Sequence, residues 1–324
     1  MEPSVGLQAF VVIHNTKRGP ALGGCRFIEY ASCADALTDA LRLGRGMSLK
    51  AAMANLNYGG GKAVLMRPAQ PFDRVALFAE FGKFVNELGG RYITALDSGS
   101  ELTDLDVVAQ QTAYVSGTSA DQSDPSPHTV RGVYRSMEAA IKFQFNKTSF
   151  KGMHIAIQGM GHVGHDLAQR LHQQGATLTI ADKNQALAMR YAEDLNARVV
   201  APEAINEVVC DVFAPCALGG ILNKKTIPLL KTSVVVGAAN NQLDEPKADA
   251  DLLMQRGILY APDFVANAGG LIFATMDYEH KPIEKADEKI DEIYDTMMAI
   301  FSEAKSQQCS TEMIAEKIAE ERLR

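Results

Sequence analysis

The segment from residue 154 to 182 constrains this chain more than any other. It runs H-I-A-I-Q, then Gly159-x-Gly161-x-x-Gly164, then an amphipathic stretch to Gln174, then A-T-L-T-I-A into Asp182. Strand, glycine turn, helix and strand in that order predict a parallel βαβ unit. Each glycine has its own reason. The first permits a tight turn, the second lets backbone approach a pyrophosphate, and the third lets helix pack closely on strand. Together with His162 and Val163 they open the helix, whose first N–H groups and dipole favour a phosphate. Asp182 stands 18 residues after Gly164, at the end of the second strand. A carboxylate there accepts hydrogen bonds from adenosine ribose hydroxyls, which favours NAD over NADP.

Strand-like runs at 208–214, 233–236 and 258–260 alternate with helical segments and extend the parallel sheet. The part before them reads as mixed α/β. Residues 7–14 form a short, β-branched strand pattern, and Lys17 to Pro20 and Gly23-Gly24 punctuate the stretch after it. Ser32 with Asp35 marks a helix start; Leu37, Leu41 and Gly44 then share one face, with Lys50 just beyond it. Val75, Phe78, Gly82, Val85 and Leu88 predict a second helix, and 92–96 a strand that ends at Asp97. The polar run at 121–128, with two prolines, marks the crossing between two domains. From Ile283, the residues Ala286, Ile290, Ile293, Met297 and Ile300 keep helical spacing ahead of a charged tail.

A chain of 324 residues, 47% hydrophobic and 22% charged, has apolar content enough for two cores. Its formal charge of −7 argues against nucleic acid and against an anionic bilayer as partners. No stretch has the ~18 apolar residues that span a membrane, and the N-terminus lacks a basic-then-apolar leader, so the expected location is cytoplasmic. Five scattered cysteines without a C-x-x-C pair fit reduced thiols, and no metal site is expected.

Gly59-Gly60-Gly61-Lys62 lacks the spacing of an ATP phosphate loop and is followed by Ala63, where a magnesium-binding hydroxyl would stand. Three glycines let backbone approach a ligand and leave Lys62 little polar company. A desolvated lysine, or one beside a second cation such as Lys50, can serve as a base near neutral pH; the bland alternative is a solvated loop lysine. Asp97 ends a strand, where ligands sit in open α/β sheets; its alternative is the N-cap of a helix at 102–108.

The chain also carries I-H-N-T at 13–16, G-P-A-L-G-G at 19–24, D-A-L-R-L-G-R-G-M-S-L-K at 39–50, N-Y-G-G-G-K at 57–62 and Y-I-T-A-L-D at 92–97. P-S-P-H-T stands at 125–129, G-M-G-H-V-G at 159–164, A-P-C-A-L-G-G-I-L-N at 214–223, G-A-A-N-N-Q-L at 237–243 and Y-A-P-D-F-V-A-N-A-G-G at 260–270. In this order and over nearly the whole chain, these segments resemble the Glu/Leu/Phe/Val dehydrogenase family, in its leucine dehydrogenase-like branch.

The resemblance implies roles, position by position. Lys50 would bind the substrate carboxylate, Lys62 activate water, and Asp97 move protons to and from the amino group. Asn267 would contact substrate near the nicotinamide, Thr129 stand beside the carboxamide, and Asn240 near a ribose. Gly159, Gly161, His162, Val163, Gly164 and Asp182 would hold the rest of NAD. Leu22, Gly23, Met47, Ala95 and Ser116 would shape the side-chain pocket. Glutamate-specific relatives place a lysine in the segment matching G-P-A-L-G-G; this chain has Leu22, so an apolar substrate is implied.

The expected reaction is reversible oxidative deamination of an apolar L-amino acid, leucine first, to the 2-oxo acid and ammonia. The alternatives are the same chemistry on valine, phenylalanine or tryptophan, or a catalytically weak NAD-binding paralogue. Leu96 replaces an acidic residue that often precedes the aspartate, and relatives place further residues used in subunit contacts before the first strand. The expected architecture is α/β in two domains. Residues 1–125 form a substrate-binding, catalytic and oligomerisation domain, 126–274 a Rossmann-type NAD-binding domain, and 275–324 a helical segment returning to the first. A homo-oligomer, a dimer or larger, is expected.

Overall fold

The computed structural model describes residues 1–119 and 124–324; of the polar run at 121–128, residues 121–123 lie outside the described residues. The chain divides into two units. One comprises 1–124, 271–286 and 319–324, the other 125–270 and 287–318.

The first unit opens with β1 (Gln8–Asn15) and β2 (Ala21–Ile28), then α1 (Cys33–Met53) and β3 (Gly59–Met66). It continues with α2 (Arg74–Glu87), β4 (Tyr92–Leu96) and α3 (Leu102–Ala109). The sheet order is β1-β3-β2-β4, with β1 antiparallel to β3 and the other pairs parallel. Ser32 caps α1 by accepting the Asp35 N–H at 3.1 Å, which is the start its sequence predicts. Gly23-Gly24 do not punctuate the chain and Gly59-Gly60-Gly61 are not in a loop; they lie inside β2 and β3. The buried face of α1 carries Ala36, Ala40, Leu43 and Gly44, while Leu37 and Leu41 are exposed. α1 continues past Lys50, which falls in its last turn rather than beyond it. A second layer packs Phe27, Leu65, Phe78, Phe81, Tyr92 and Leu105 on the opposite face of the sheet.

The second unit contains α4 (Ser126–Phe145), β5 (His154–Gln158), α5 (His162–Gln173), β6 (Thr177–Ala181), α6 (Gln185–Leu195), β7 (Arg198–Val199) and β8 (Val212–Pro215). β9 (Val234–Val235), α7 (Pro246–Gln255), β10 (Leu259–Tyr260) and α8 (Asp263–Ala266) complete its sheet and crossovers. The sheet is wholly parallel, in the order β10-β9-β8-β5-β6-β7. Numbered from β5, that is 6-5-4-1-2-3, the doubly wound order of a dinucleotide-binding domain. The order reverses between β5 and β8, so the loop after β5 emerges at the switch point.

The remaining helices are α9 (Gly269–Tyr278), α10 (Ile283–Asp291), α11 (Ile293–Gln307) and α12 (Thr311–Arg322). The sequence pattern suggests one helix and a charged tail. The tail is instead α12, whose Ile314, Ala315 and Ala319 are buried. Residues 287–318 group with the second unit, which differs from the expectation that all of 275–324 rejoins the first. There Arg131 of α4 pairs with Asp287 and Asp291 at 2.9 and 2.8 Å, and Phe143 of α4 packs on Phe301 of α11. Among the described residues, no helix is long and apolar enough to cross a membrane.

Candidate functional site

Side chains alternate along a strand, so Leu22, Gly24 and Arg26 of β2 share a face with Gly60, Lys62 and Val64 of β3. Helix α1 covers that face. Val64 packs against Ala36, Ala40 and Leu43, and Arg26 Nη1 donates to Asp39 of α1 at 2.9 Å. Glycine at 60 allows the close seat, because a Cβ there would lie 2.0 Å from the Ser48 nitrogen. Ser48 is thus anchored on β3, and Lys50 comes two residues later, half-buried in the same helix.

Lys62 is 5% exposed, and its Nζ lies 2.8 Å from Asp97 Oδ2. It is neither solvated nor in a loop. Asp97 comes directly after β4, where its N–H donates to Ser100 Oγ at 3.0 Å and its carbonyl accepts from that hydroxyl at 2.8 Å. It is not the helix cap it could have been, since Glu101 holds that position for α3. Arg26 Nε donates to the same Oδ2 at 3.1 Å. Burial pushes the Asp97 carboxyl up, but Lys62 and then Arg26 outweigh it and bring it down to about 2. A carboxylate and an amine that share a proton at this distance can pass one to and from a bound molecule.

Of the candidate pocket residues, Leu22 and Gly23 lie on β2, Ala95 on β4 and Met47 on α1. The β2–β4 register sets Leu22 beside Ile93, Gly23 beside Thr94 and Gly24 beside Ala95. Leu22 is 2% exposed. Gly23 points away from the α1 face, where a Cβ would lie 1.8 Å from the Gly61 carbonyl oxygen, and its own carbonyl accepts from Tyr92 Oη at 2.5 Å. Ser116 is buried; its N–H donates to Thr94 O at 2.9 Å and its Oγ to Ala274 O at 3.0 Å. Met47 and Ala95 are half-buried, Met47 one helical turn before Lys50.

In the second unit the three glycines of the turn behave differently from one another. Gly159 takes a φ of +95°, and a Cβ there would lie 2.7 Å from the Ala217 Cβ. A Cβ on Gly164 would lie 2.0 Å from the Gly159 carbonyl oxygen, so α5 can seat on β5 only through glycine. A Cβ on Gly161 would meet nothing within 4 Å. Gly161 is the N-cap of α5 and supplies no side-chain cap; His162 is exposed and Val163 half-buried in the first turn behind it. Asp182 braces the turn, with Oδ2 accepting the Met160 N–H at 2.7 Å and Oδ1 the Asn184 N–H at 2.8 Å. Each oxygen keeps a further lone pair for another donor.

Asn267, 5% exposed, donates through Nδ2 to Asn240 Oδ1 at 2.9 Å and to the Ala238 carbonyl at 3.1 Å. Its Oδ1 is buried without a partner among the described residues, an acceptor suited to a donor on a ligand. Thr129, in the first turn of α4, lies against Gly270, where a Cβ would come 2.6 Å from its Oγ1. An open backbone at Gly161, a braced carboxylate at Asp182 and an orphaned amide oxygen at Asn267 fit a nicotinamide dinucleotide.

Two residues escaped the sequence reading. Arg26 became legible only once 21–28 was known to be a strand, because alternation from Leu22 then puts it on the Lys62 face. Gln242 is fully buried, and its Nε2 donates to the Gly237 and Ala239 carbonyls at 3.0 Å each, holding the loop that carries Asn240.

Comparison with known proteins bears on both units. Residues 3–114 match the Glu/Leu/Phe/Val dehydrogenase dimerisation domain, and residues 178–322 the glutamate/leucine/phenylalanine/valine dehydrogenase domain. A leucine dehydrogenase of Geobacillus stearothermophilus is 46% identical over 98% of this chain and 87% of its own. A valine dehydrogenase of Streptomyces coelicolor is 42% identical over 98% of this chain and 89% of its own. The crystal structure of an L-tryptophan dehydrogenase from Nostoc punctiforme superposes with a TM-score of 0.86 at 40% identity, covering 100% of this chain and 93% of that one.

Proposed function

This chain belongs to the Glu/Leu/Phe/Val dehydrogenase family, and on that premise we propose that it converts an apolar L-amino acid, leucine first, reversibly to the 2-oxo acid and ammonia with NAD. The class, an amino-acid dehydrogenase, comes with the family. The observation that carries the residue assignment is the buried Lys62–Asp97 pair at 2.8 Å.

Lys50, a fixed cation on α1, holds the substrate carboxylate and so orients Cα. Bound NAD supplies the oxidant. Asp97 accepts a proton from the substrate amino group; Lys62 then takes a proton from water as it adds to the imine carbon, Asp97 returns one to the departing ammonia, and the hydroxyl proton released as the carbonyl forms passes to Asp97. Asn267, beside Asn240, would stand with Thr129 at the nicotinamide end of the bound cofactor. The N-terminus of α5, with Gly159, Gly161, His162, Val163 and Gly164, receives the pyrophosphate.

Asp182 supports NAD over NADP. Its two oxygens are braced by backbone N–H groups, so the carboxylate would offer remaining lone pairs to ribose hydroxyls and a negative charge against a 2′-phosphate. Asp182→Ser is expected to move the NAD-to-NADP preference toward NADP; an unchanged ratio of kcat/KM values would remove Asp182 from that role.

Leu22 supports an apolar side chain, and Met47, Ala95 and Ser116 are the other residues we assign to its pocket. Related enzymes are named for leucine, valine and tryptophan, and a pocket separates substrates differing by a methylene by only about 1–3 kcal/mol. We also infer a cytoplasmic homo-oligomer. All five cysteines are free thiols, as a reducing compartment keeps them, and the family's dimerisation domain matches 3–114. The test is NADH formation by the purified protein with L-leucine, L-valine, L-phenylalanine, L-tryptophan and L-glutamate. Turnover of leucine or valine without glutamate is expected; silence across the panel with NAD bound would overturn the reading.

A further inference from the structure

We propose that Arg26 is a positioning residue for the Lys62–Asp97 pair, fixing Asp97 in place and, by its permanent charge, making the pair give up its proton at lower pH than it would alone. The inference rests on the reading that this pair carries the acid–base chemistry.

The geometry comes first. One oxygen, Asp97 Oδ2, receives two cations, Lys62 Nζ at 2.8 Å and Arg26 Nε at 3.1 Å. The planar guanidinium holds two carboxylates at once, since its Nη1 donates to Asp39 Oδ2 at 2.9 Å. Asp39 is itself fixed by Tyr30 Oη, which donates at 2.6 Å. The result is a row from Tyr30 through Asp39, Arg26 and Asp97 to Lys62, drawn from β2 and the loop after it, α1, the residue after β4, and β3. Side chains of Arg26 and Asp97 are each 18% exposed, so solvent and salt screen the row less than a surface pair.

Charge counting gives the sign. With Lys62 protonated, the two carboxylates and two cations sum to zero, and proton loss leaves one negative charge. Without Arg26 the same loss would leave two, so the pair would hold its proton to higher pH. Arginine does not titrate in proteins, so its contribution is constant across the working range. Among the described residues, Cys25 and Tyr92 also lie near Asp97, both buried; burial pushes the Cys25 thiol up to about 11 and the Tyr92 phenol up as well. Both stay neutral through that range. A lone buried lysine and aspartate would lock as an ion pair. The second cation loosens that lock without breaking it.

The test needs no turnover. The pH dependence of Lys62 acylation by acetic anhydride, read by mass spectrometry of the peptide, is compared in wild type, Arg26→Met, Arg26→Lys and Asp39→Asn. In Arg26→Met the midpoint of labelling is expected to rise by about one pH unit. In Arg26→Lys, which restores the charge without the two-carboxylate grip, the midpoint returns toward wild type. In Asp39→Asn, where a negative charge is lost, it moves down by a smaller amount. An unmoved midpoint in Arg26→Met overturns the inference, as does movement in the same direction in Arg26→Met and Asp39→Asn, which general loosening would produce. Should Arg26→Met not fold, the downward shift in Asp39→Asn decides. In the same preparations, the acid-side limb of kcat/KM for leucine should track the labelling, with kcat falling more than KM rises in Arg26→Met. Silence of the wild-type enzyme in that assay would count against the proposed reaction alone, because the labelling shift does not depend on it.

Discussion

Both units concentrate glycine at their candidate sites, yet the glycines serve opposite ends. In the first unit, a Cβ at Gly23, Gly24, Gly59, Gly60 or Gly61 would lie 2.7 Å or less from a backbone atom. These glycines remove side chains so that strands and helix close on each other and deliver Lys62 into a dry place. In the second unit, Gly159 and Gly164 likewise bring backbone together, but Gly161 faces nothing within 4 Å. It leaves open space, which the proposed cofactor would use. A run of glycines therefore says that something comes close; only the tertiary structure says whether that is the protein itself.

The largest expected effect tests what the packed glycines deliver. Lys62→Ala should lower kcat by about 10³-fold, within the range for loss of a general base. NAD binding and folding should survive, since Asp97 keeps Arg26 as a partner. Retained turnover would take the role from Lys62.

Next comes Gly23→Ala, where the new methyl would lie 1.8 Å from the Gly61 carbonyl oxygen. Overpacking against backbone should cost about 3 kcal/mol or more in urea denaturation. A loss below about 1 kcal/mol would mean that β2 and β3 can part, and the contrast between the units would weaken.

The ion pair adds a pH signature to the first unit. The Asp97 carboxyl, depressed from 3.8 to about 2, contributes its stabilisation in full above the unfolded value and loses it as pH falls through the folded one. That amounts to about 2 kcal/mol by the free energy of one pKa unit. Acid unfolding of Asp97→Asn should lack this slope between pH 3.8 and about 2; equal slopes in both proteins would show that the pair is not coupled to folding.

The smallest effect sharpens the comparison most. Gly161→Ala should change stability by no more than about 0.5 kcal/mol while raising KM for NAD about tenfold, about 1.4 kcal/mol. Reversed behaviour, with stability lost and KM unchanged, would put Gly161 with the packed glycines.

Much of the second unit was legible because its signals are local. Period-two apolar runs, the glycine turn and Asp182 all lie within one βαβ unit, and the parallel sheet is implied by alternating strand and helix. The first unit was less so. Gly23-Gly24 read as punctuation and Gly59 to Gly61 as backbone open to a ligand or a loop, because glycine weakens a strand locally; close packing by α1 and the neighbouring strands overrides that preference. The same packing displaced the buried face of α1 onto Ala36 and Ala40, since small side chains fit where helix presses on sheet. The charged tail read as surface, but α12 buries one face of it.

By itself the sequence determined the α/β class, the doubly wound unit with its glycine turn, and the residue types of the candidate site, for these are set by spacing and periodicity along the chain. Tertiary structure decided which of those residues meet. Lys62 and Asp97 are separated by a helix and two strand ends, and Arg26 comes from a third strand. Their shared oxygen at 2.8 and 3.1 Å is set by the β1-β3-β2-β4 strand order and the seat of α1, which no local pattern encodes. Proton chemistry depends on ångström distances and on exclusion of water, and both arise only when the sheet closes.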